Sequence, residues 1–128
     1  VIAALAADLR PELQVRLVES DLRKGAFLAA TAREMDVAVE IALLRAETLP
    51  REPVDVLSAR AFAPLPRLLD IAEPIIGSST IAILPKGADW RAELTEARRH
   101  WHMKIDVRPS ATHAEAVVLI LTEIARVP

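Results

Sequence analysis

Cysteine is absent from all 128 residues. Its absence excludes disulfides, thiolate zinc sites and cysteine nucleophiles together, and it fits a reducing compartment, so a cytoplasmic protein is expected. Long apolar runs are also lacking. The opening stretch, residues 1–7, resembles the core of a signal peptide, but no basic segment precedes it and Asp8 and Arg10 break it off. Nothing approaches the roughly 20 apolar residues of a membrane-spanning helix. Histidine is too sparse for a metal site: His100 and His102 alternate across an expected turn and His113 stands alone. No serine, histidine and aspartate set of suitable context is evident, and neither a metal nor a membrane partner is expected.

What is present is a core-forming composition. Apolar residues make up 52% and charged residues 27% of a 14.0 kDa chain, the balance of one globular domain spanning residues 1–128. Net charge is −2 and the isoelectric point about 5.9. That balance disfavours a passive nucleic-acid coat, which relies on many phosphate contacts, and leaves room for an RNA enzyme with a local basic patch.

Along the chain, residues 1–9 read as the end of a helix that Pro11 stops. Residues 13–19 alternate apolar and polar side chains as a strand, and Ser20-Asp21 can cap a following helix. In that helix Ala26, Phe27, Leu28, Ala30, Thr31 and Met35 fall at the spacing of one buried face. Residues 39–44 and 54–59 read as two further strands around a proline-bearing loop. Pro64 and Pro66 suit the first turn of a helix with Leu65, Leu68, Leu69, Ile71 and Ala72 on one side, and Gly77-Ser78-Ser79 closes that unit. A strand over 80–84, an amphipathic helix over 90–101 and strands over 103–107 and 116–122 complete the order. Strands alternating with helices predict an α/β fold, a doubly wound and mainly parallel sheet whose strands are covered on both faces. The last two strands have too short a connection for a helical crossover and should be antiparallel.

Four strings carry a sharper signal: LVESDLRKGAFL at 17–28, RAETL at 45–49, DVLSARAFAPLPRLL at 55–69 and LPKG at 84–87. In this order and spacing they resemble the bacterial 16S rRNA guanine-N7 methyltransferases, the RsmG or GidB type, over essentially the whole chain. The resemblance implies a Rossmann-like class I methyltransferase fold, S-adenosylmethionine as cofactor, and 16S rRNA or the small ribosomal subunit as partner. One departure is large. Members of that family resemble other class I methyltransferases in having a first strand and a glycine-rich turn just upstream of the position of residue 1. This chain has only Gly25, Gly77 and Gly87, and none can form a turn in which backbone approaches a ligand closely. The chain is therefore expected to lack the first strand of the family's sheet, which would leave its neighbours without a backbone partner, and to be inactive without it.

The resemblance also distributes roles. Glu19, at the end of the first strand, is implied to accept the cofactor's ribose hydroxyls; the alternative is a solvated strand-end charge. Ala46 and Glu47 correspond to a pair beside the adenine, and Glu47 could equally be a charge at a helix start. Arg60, following the strand over 54–59, is implied to contact the cofactor; its rival is a structural salt bridge. Lys86 in LPKG is read as a substrate contact or as a plain surface lysine. Catalytic acid–base residues are not expected, because guanine N7 attacks with its own lone pair and needs positioning. Arg23, Lys24, Arg91, Arg98, Arg99, His100, His102, Lys104 and Arg108 supply either an RNA-facing patch or a solvated face. Two rival functions stay open: a methyltransferase of the same fold acting on a small molecule or protein, and a non-catalytic α/β binding module.

Overall fold

The computed structural model describes the backbone of residues 2–128 and the side chains of residues 5, 6 and 8–128. The chain divides into two compact units, residues 1–49 and 50–128.

The first unit runs α1 (Ile2–Leu9), β1 (Val15–Glu19), α2 (Leu22–Glu34) and β2 (Val39–Leu43), followed by a short 3-10 turn at Ala46–Thr48. β1 and β2 pair in parallel, Val15 opposite Val39 and Glu19 opposite Leu43. α2 starts where Asp21 accepts the amide hydrogens of Arg23 and Lys24 on its carboxylate, satisfying donors that the first turn leaves orphaned. It ends at Asp36, whose φ of 52° is the left-handed conformation that short polar side chains tolerate after a helix. α2 lies so close to β2 that a Cβ on Gly25 would stand 2.1 Å from Leu43 Cδ2. Among the described residues of this unit only Gly25 is buried. The face expected to be covered on α2 is not: Phe27 is 69% and Met35 53% exposed.

The second unit runs β3 (Val54–Ser58), α3 (Leu65–Ala72), a 3-10 turn at Glu73–Ile75, β4 (Ile76–Lys86), α4 (Trp90–Ala97), β5 (Trp101–Pro109) and β6 (Val117–Arg126). Its strands lie in the order β3-β4-β6-β5. β3 and β4 are parallel, while β6 inserts between β4 and β5 and runs antiparallel to both. The final pair is thus antiparallel as its short connection requires. Leu65, Leu68 and Leu69 of α3, Leu94 and Ala97 of α4, and Ala82, Leu84, Trp101, Leu119 and Leu121 of the sheet form one buried cluster. Burial of each leucine contributes roughly 1.5–3 kcal/mol.

Three expectations are corrected here. Gly77-Ser78-Ser79 does not close a unit but lies inside β4, as a bulge between the pairs Val54–Ile76 and Val56–Ile81. Thr80, 1% exposed, holds that bulge: its hydroxyl accepts from the Gly77 amide at 2.8 Å and donates to the Val54 carbonyl at 2.5 Å. Trp101 does not end the fourth helix. It opens β5, buried opposite Arg126, with its indole N–H donated to Asp70 at 3.2 Å. Finally, β4 is not covered on both faces among the described residues, since its Thr80, Ala82 and Leu84 are buried while Ile81 and Ile83 between them are exposed. That is the period-two alternation of a sheet packed on one side.

Candidate functional site

Parallel strands gather their carboxyl ends at one edge of a sheet, where loops can present side chains to a ligand. In the first unit this edge carries Glu19 and, beyond Leu43, Ala46 and Glu47. Glu19 is half-buried, and its Oε1 accepts the Asp21 amide hydrogen at 2.9 Å. Its other oxygen has no hydrogen-bond partner among the described residues, so it is available to a hydroxyl donor. Asp21 is committed elsewhere: the Lys24 and then the Arg23 amide hold its carboxyl below the usual carboxylate range. The turn after β2 is closed by Thr48, which donates both its amide and its hydroxyl to the Arg45 carbonyl at 2.9 and 2.8 Å. Ala46 opens that turn half-buried, with a methyl group too small to obstruct a flat ring, and Glu47 beside it is exposed.

In the second unit the corresponding edge carries Arg60 after β3 and Lys86 at the end of β4. The two behave oppositely. Arg60 is exposed and makes no ion pair or hydrogen bond among the described residues. The Lys86 side chain is only 9% exposed; its ammonium donates to the Ala63 carbonyl at 2.8 Å and pairs with Glu93 at 2.8 Å. Lys86, read from sequence as a substrate contact or surface lysine, is therefore engaged inside the fold. Glu93 was not singled out in the sequence. Its carboxylate also accepts the Leu65 amide hydrogen at 2.8 Å, a contact across 28 residues that no local pattern signals.

Within residues 1–49 the structure brings Glu19 together with Ala46 and Glu47, and within residues 50–128 it brings Arg60 together with Lys86.

Part of the basic residues of the later half is paired. Arg99 pairs with Glu96, Lys104 with Glu123 and Arg108 with Asp106, all exposed, and Arg91 lies over the Trp90 ring at 4.4 Å. Such pairs add little stability, and they neutralise much of the positive charge. Among the described residues no group of three or more histidines and acids is arranged to hold a metal, and no helix is long and apolar enough to cross a membrane.

Comparison with known proteins agrees with the motif order. The ribosomal RNA small subunit methyltransferase G of Ruegeria sp. (strain TM1040) is 43% identical over 127 residues, which are 99% of this chain and 62% of that protein. The chain thus spans less than two thirds of this relative's length. Among solved structures, the PH0226 protein from Pyrococcus horikoshii OT3 superposes with a TM-score of 0.76 at 9% identity, over 95% of this chain and 76% of that one. Fibrillarin of Aeropyrum pernix, solved with natively bound S-adenosyl-L-methionine, gives 0.65 at 15% identity, over 85% of this chain and 55% of its own. These likenesses establish the fold alone, α/β and Rossmann-like. The GidB family model, rRNA small subunit methyltransferase G, matches residues 4–118, and the chain belongs to that family.

Proposed function

We propose that the protein transfers a methyl group from S-adenosylmethionine to N7 of a guanine in 16S rRNA, with Glu19, Ala46, Glu47 and Arg60 contacting the cofactor. The observation that carries this reading is the state of Glu19: a half-buried carboxylate at the end of a parallel strand, one oxygen fixed by the Asp21 amide and the other open. A pair of vicinal ribose hydroxyls is the donor set such a carboxylate fits. The unpaired guanidinium of Arg60 suits a carboxylate, and the cofactor's amino-acid portion offers one.

When bound, the cofactor supplies the methyl group on a sulfonium centre. The chain's residues need only hold and orient, since N7 brings its own lone pair and loses no proton as it attacks. Residues 1–128 are read as part of one methyltransferase domain. β1 and β3 each have one backbone edge without a strand partner among the described residues, and relatives are longer than this chain. Sequence from outside residues 1–128 that forms a strand on such edges is what the reading requires.

The test is incubation of the protein, as its gene encodes it, with methyl-labelled cofactor and either small ribosomal subunits or naked 16S rRNA, followed by mapping of label to guanine N7. Label on N7 in either arm supports the reading, and the arms distinguish the partner. The neutralised basic residues and the net charge of −2 favour a second reading, the same transfer to a small molecule or a protein. Cofactor binding with no label on rRNA in either arm is its signature.

A further inference from the structure

The loop joining β3 to α3, residues 59–64, holds a strained backbone next to an unpaired cation. Ala61 has φ of 50°, the left-handed region, where a Cβ crowds the following carbonyl oxygen. Strain of this kind persists only where surrounding contacts over-determine it. Ala61 lies between Arg60 and Phe62, both exposed.

The contacts that hold the loop come from β4 and α4. α3 opens with Pro64-Leu65-Pro66: Pro64 has no capping side chain and Pro66 no amide hydrogen, so the helix cannot cap itself. Glu93 supplies the cap instead, accepting the Leu65 amide hydrogen at 2.8 Å. A carboxylate with a 25% exposed side chain needs a counter-charge, and Lys86 provides it at 2.8 Å. The same ammonium donates to the Ala63 carbonyl at 2.8 Å. Lys86 and Glu93 therefore grip Ala63 and Leu65, the residues on either side of Pro64, and fix the end of the loop that carries Arg60. To reach a phosphate, the Lys86 ammonium would have to give up contacts it makes in a largely buried place.

We propose that Lys86 and Glu93 are positioning residues, which serve methyl transfer by locking residues 59–64 so that Arg60 is presented to the cofactor, and that Lys86 does not touch RNA. The proposal deepens the reading of Arg60 as a cofactor contact and rests on it. Loss of either partner leaves the other charge without its counter-ion and frees Ala61 to relax, which swings Arg60 away. Cofactor affinity falls while RNA affinity stays.

The experiment titrates S-adenosylmethionine and, separately, 16S rRNA at several salt concentrations into the protein as its gene encodes it, comparing wild type with Lys86→Met, Glu93→Gln, Arg60→Ala and the double variants with Arg60→Ala. Glu93→Gln keeps an acceptor for the Leu65 amide and removes only the charge, so it gives a reading even where Lys86→Met fails to fold. Each positioning variant is expected to weaken cofactor binding roughly tenfold, and to add nothing further once Arg60 is alanine, the signature of residues acting through one another. The rRNA affinity and its salt slope are expected to be unchanged. A salt slope reduced by about one in Lys86→Met marks a direct phosphate contact and overturns the proposal. So does a lowered melting temperature with wild-type cofactor affinity in Glu93→Gln, which marks a purely structural pair. Failure of the wild type itself to bind S-adenosylmethionine would instead bring down the reading of the site on which the proposal rests.

Discussion

The two units of this chain are built from the same strand–helix alternation, yet among the described residues one has a buried core and the other buries only Gly25. Residues 50–128 put four strands behind α3 and α4 and bury Leu65, Leu69, Leu84, Leu119 and Leu121 completely. Residues 1–49 put two strands beside α1 and α2, and the described side chains there are at best half-buried. A two-stranded sheet is marginal alone in water, whereas four strands under two helices have the area to be self-supporting. Labour is divided between them: the unit with the core ties the end of the loop after Arg60 to a largely buried lysine, Lys86, and its partner Glu93, while the other unit carries Glu19 at a strand end and Ala46 and Glu47 on a short turn.

The comparison is challenged most strongly by truncating one apolar side chain to alanine in each unit. Leu69→Ala is expected to lower unfolding free energy by about 2–5 kcal/mol, because it leaves a cavity under α3, and Val18→Ala on β1 by well under that, about 0.5 kcal/mol or less. Equal losses in denaturant titration would show that the units are not so different. Next in size is Thr80→Val, which keeps the shape but strips the partners from the Val54 carbonyl and the Gly77 amide, for a loss of about 1–3 kcal/mol. A neutral result would mean that water replaces the hydroxyl at the bulge.

A smaller effect concerns pH. Arg126 donates to Glu73 at 2.8 Å and holds its carboxyl below the ordinary carboxylate value. The folded state thus binds that proton less readily than the unfolded chain. The contribution is fully present above the ordinary carboxylate range and fades as pH falls through it toward the folded value. Replacing Arg126 with leucine should flatten that part of the stability profile, and an unchanged acid limb in thermal melts would contradict the pairing. Smallest is Gly25→Ala. The gain in helix propensity, about 1 kcal/mol, opposes the need for the exposed Leu43 side chain to move, so the net change should stay within about 1 kcal/mol. A larger loss would mean that α2 packs on β2 more rigidly than its exposure suggests.

Element order was legible in the sequence wherever period and punctuation agreed. Asp21 at a helix start, the prolines before Leu68 and Leu69, and the short connection before β6 all took their expected places. Misreadings arose where a local pattern was mimicked. Trp90 and Trp101 lie three helical turns apart and look like one face, but Trp101 is held by strand pairing with Arg126. Phe27 and Met35 have helical spacing and still face solvent, because spacing reports a stripe and not what covers it. Of the candidate site, the places of Glu19, Ala46, Glu47 and Arg60 at or just after strand ends were legible in the sequence. The partnership of Lys86 with Glu93 and the Leu65 amide was not, since it links three elements through tertiary packing.

The central claim is that a carboxylate at the end of β1 receives a nucleoside cofactor. Its most direct test is calorimetric titration of S-adenosylmethionine into the protein as its gene encodes it and into the Glu19→Ala variant. Binding by the first is expected, and a loss of roughly tenfold or more in affinity by the second, because hydrogen bonds to a charged acceptor are removed. Equal affinity in the two would contradict it.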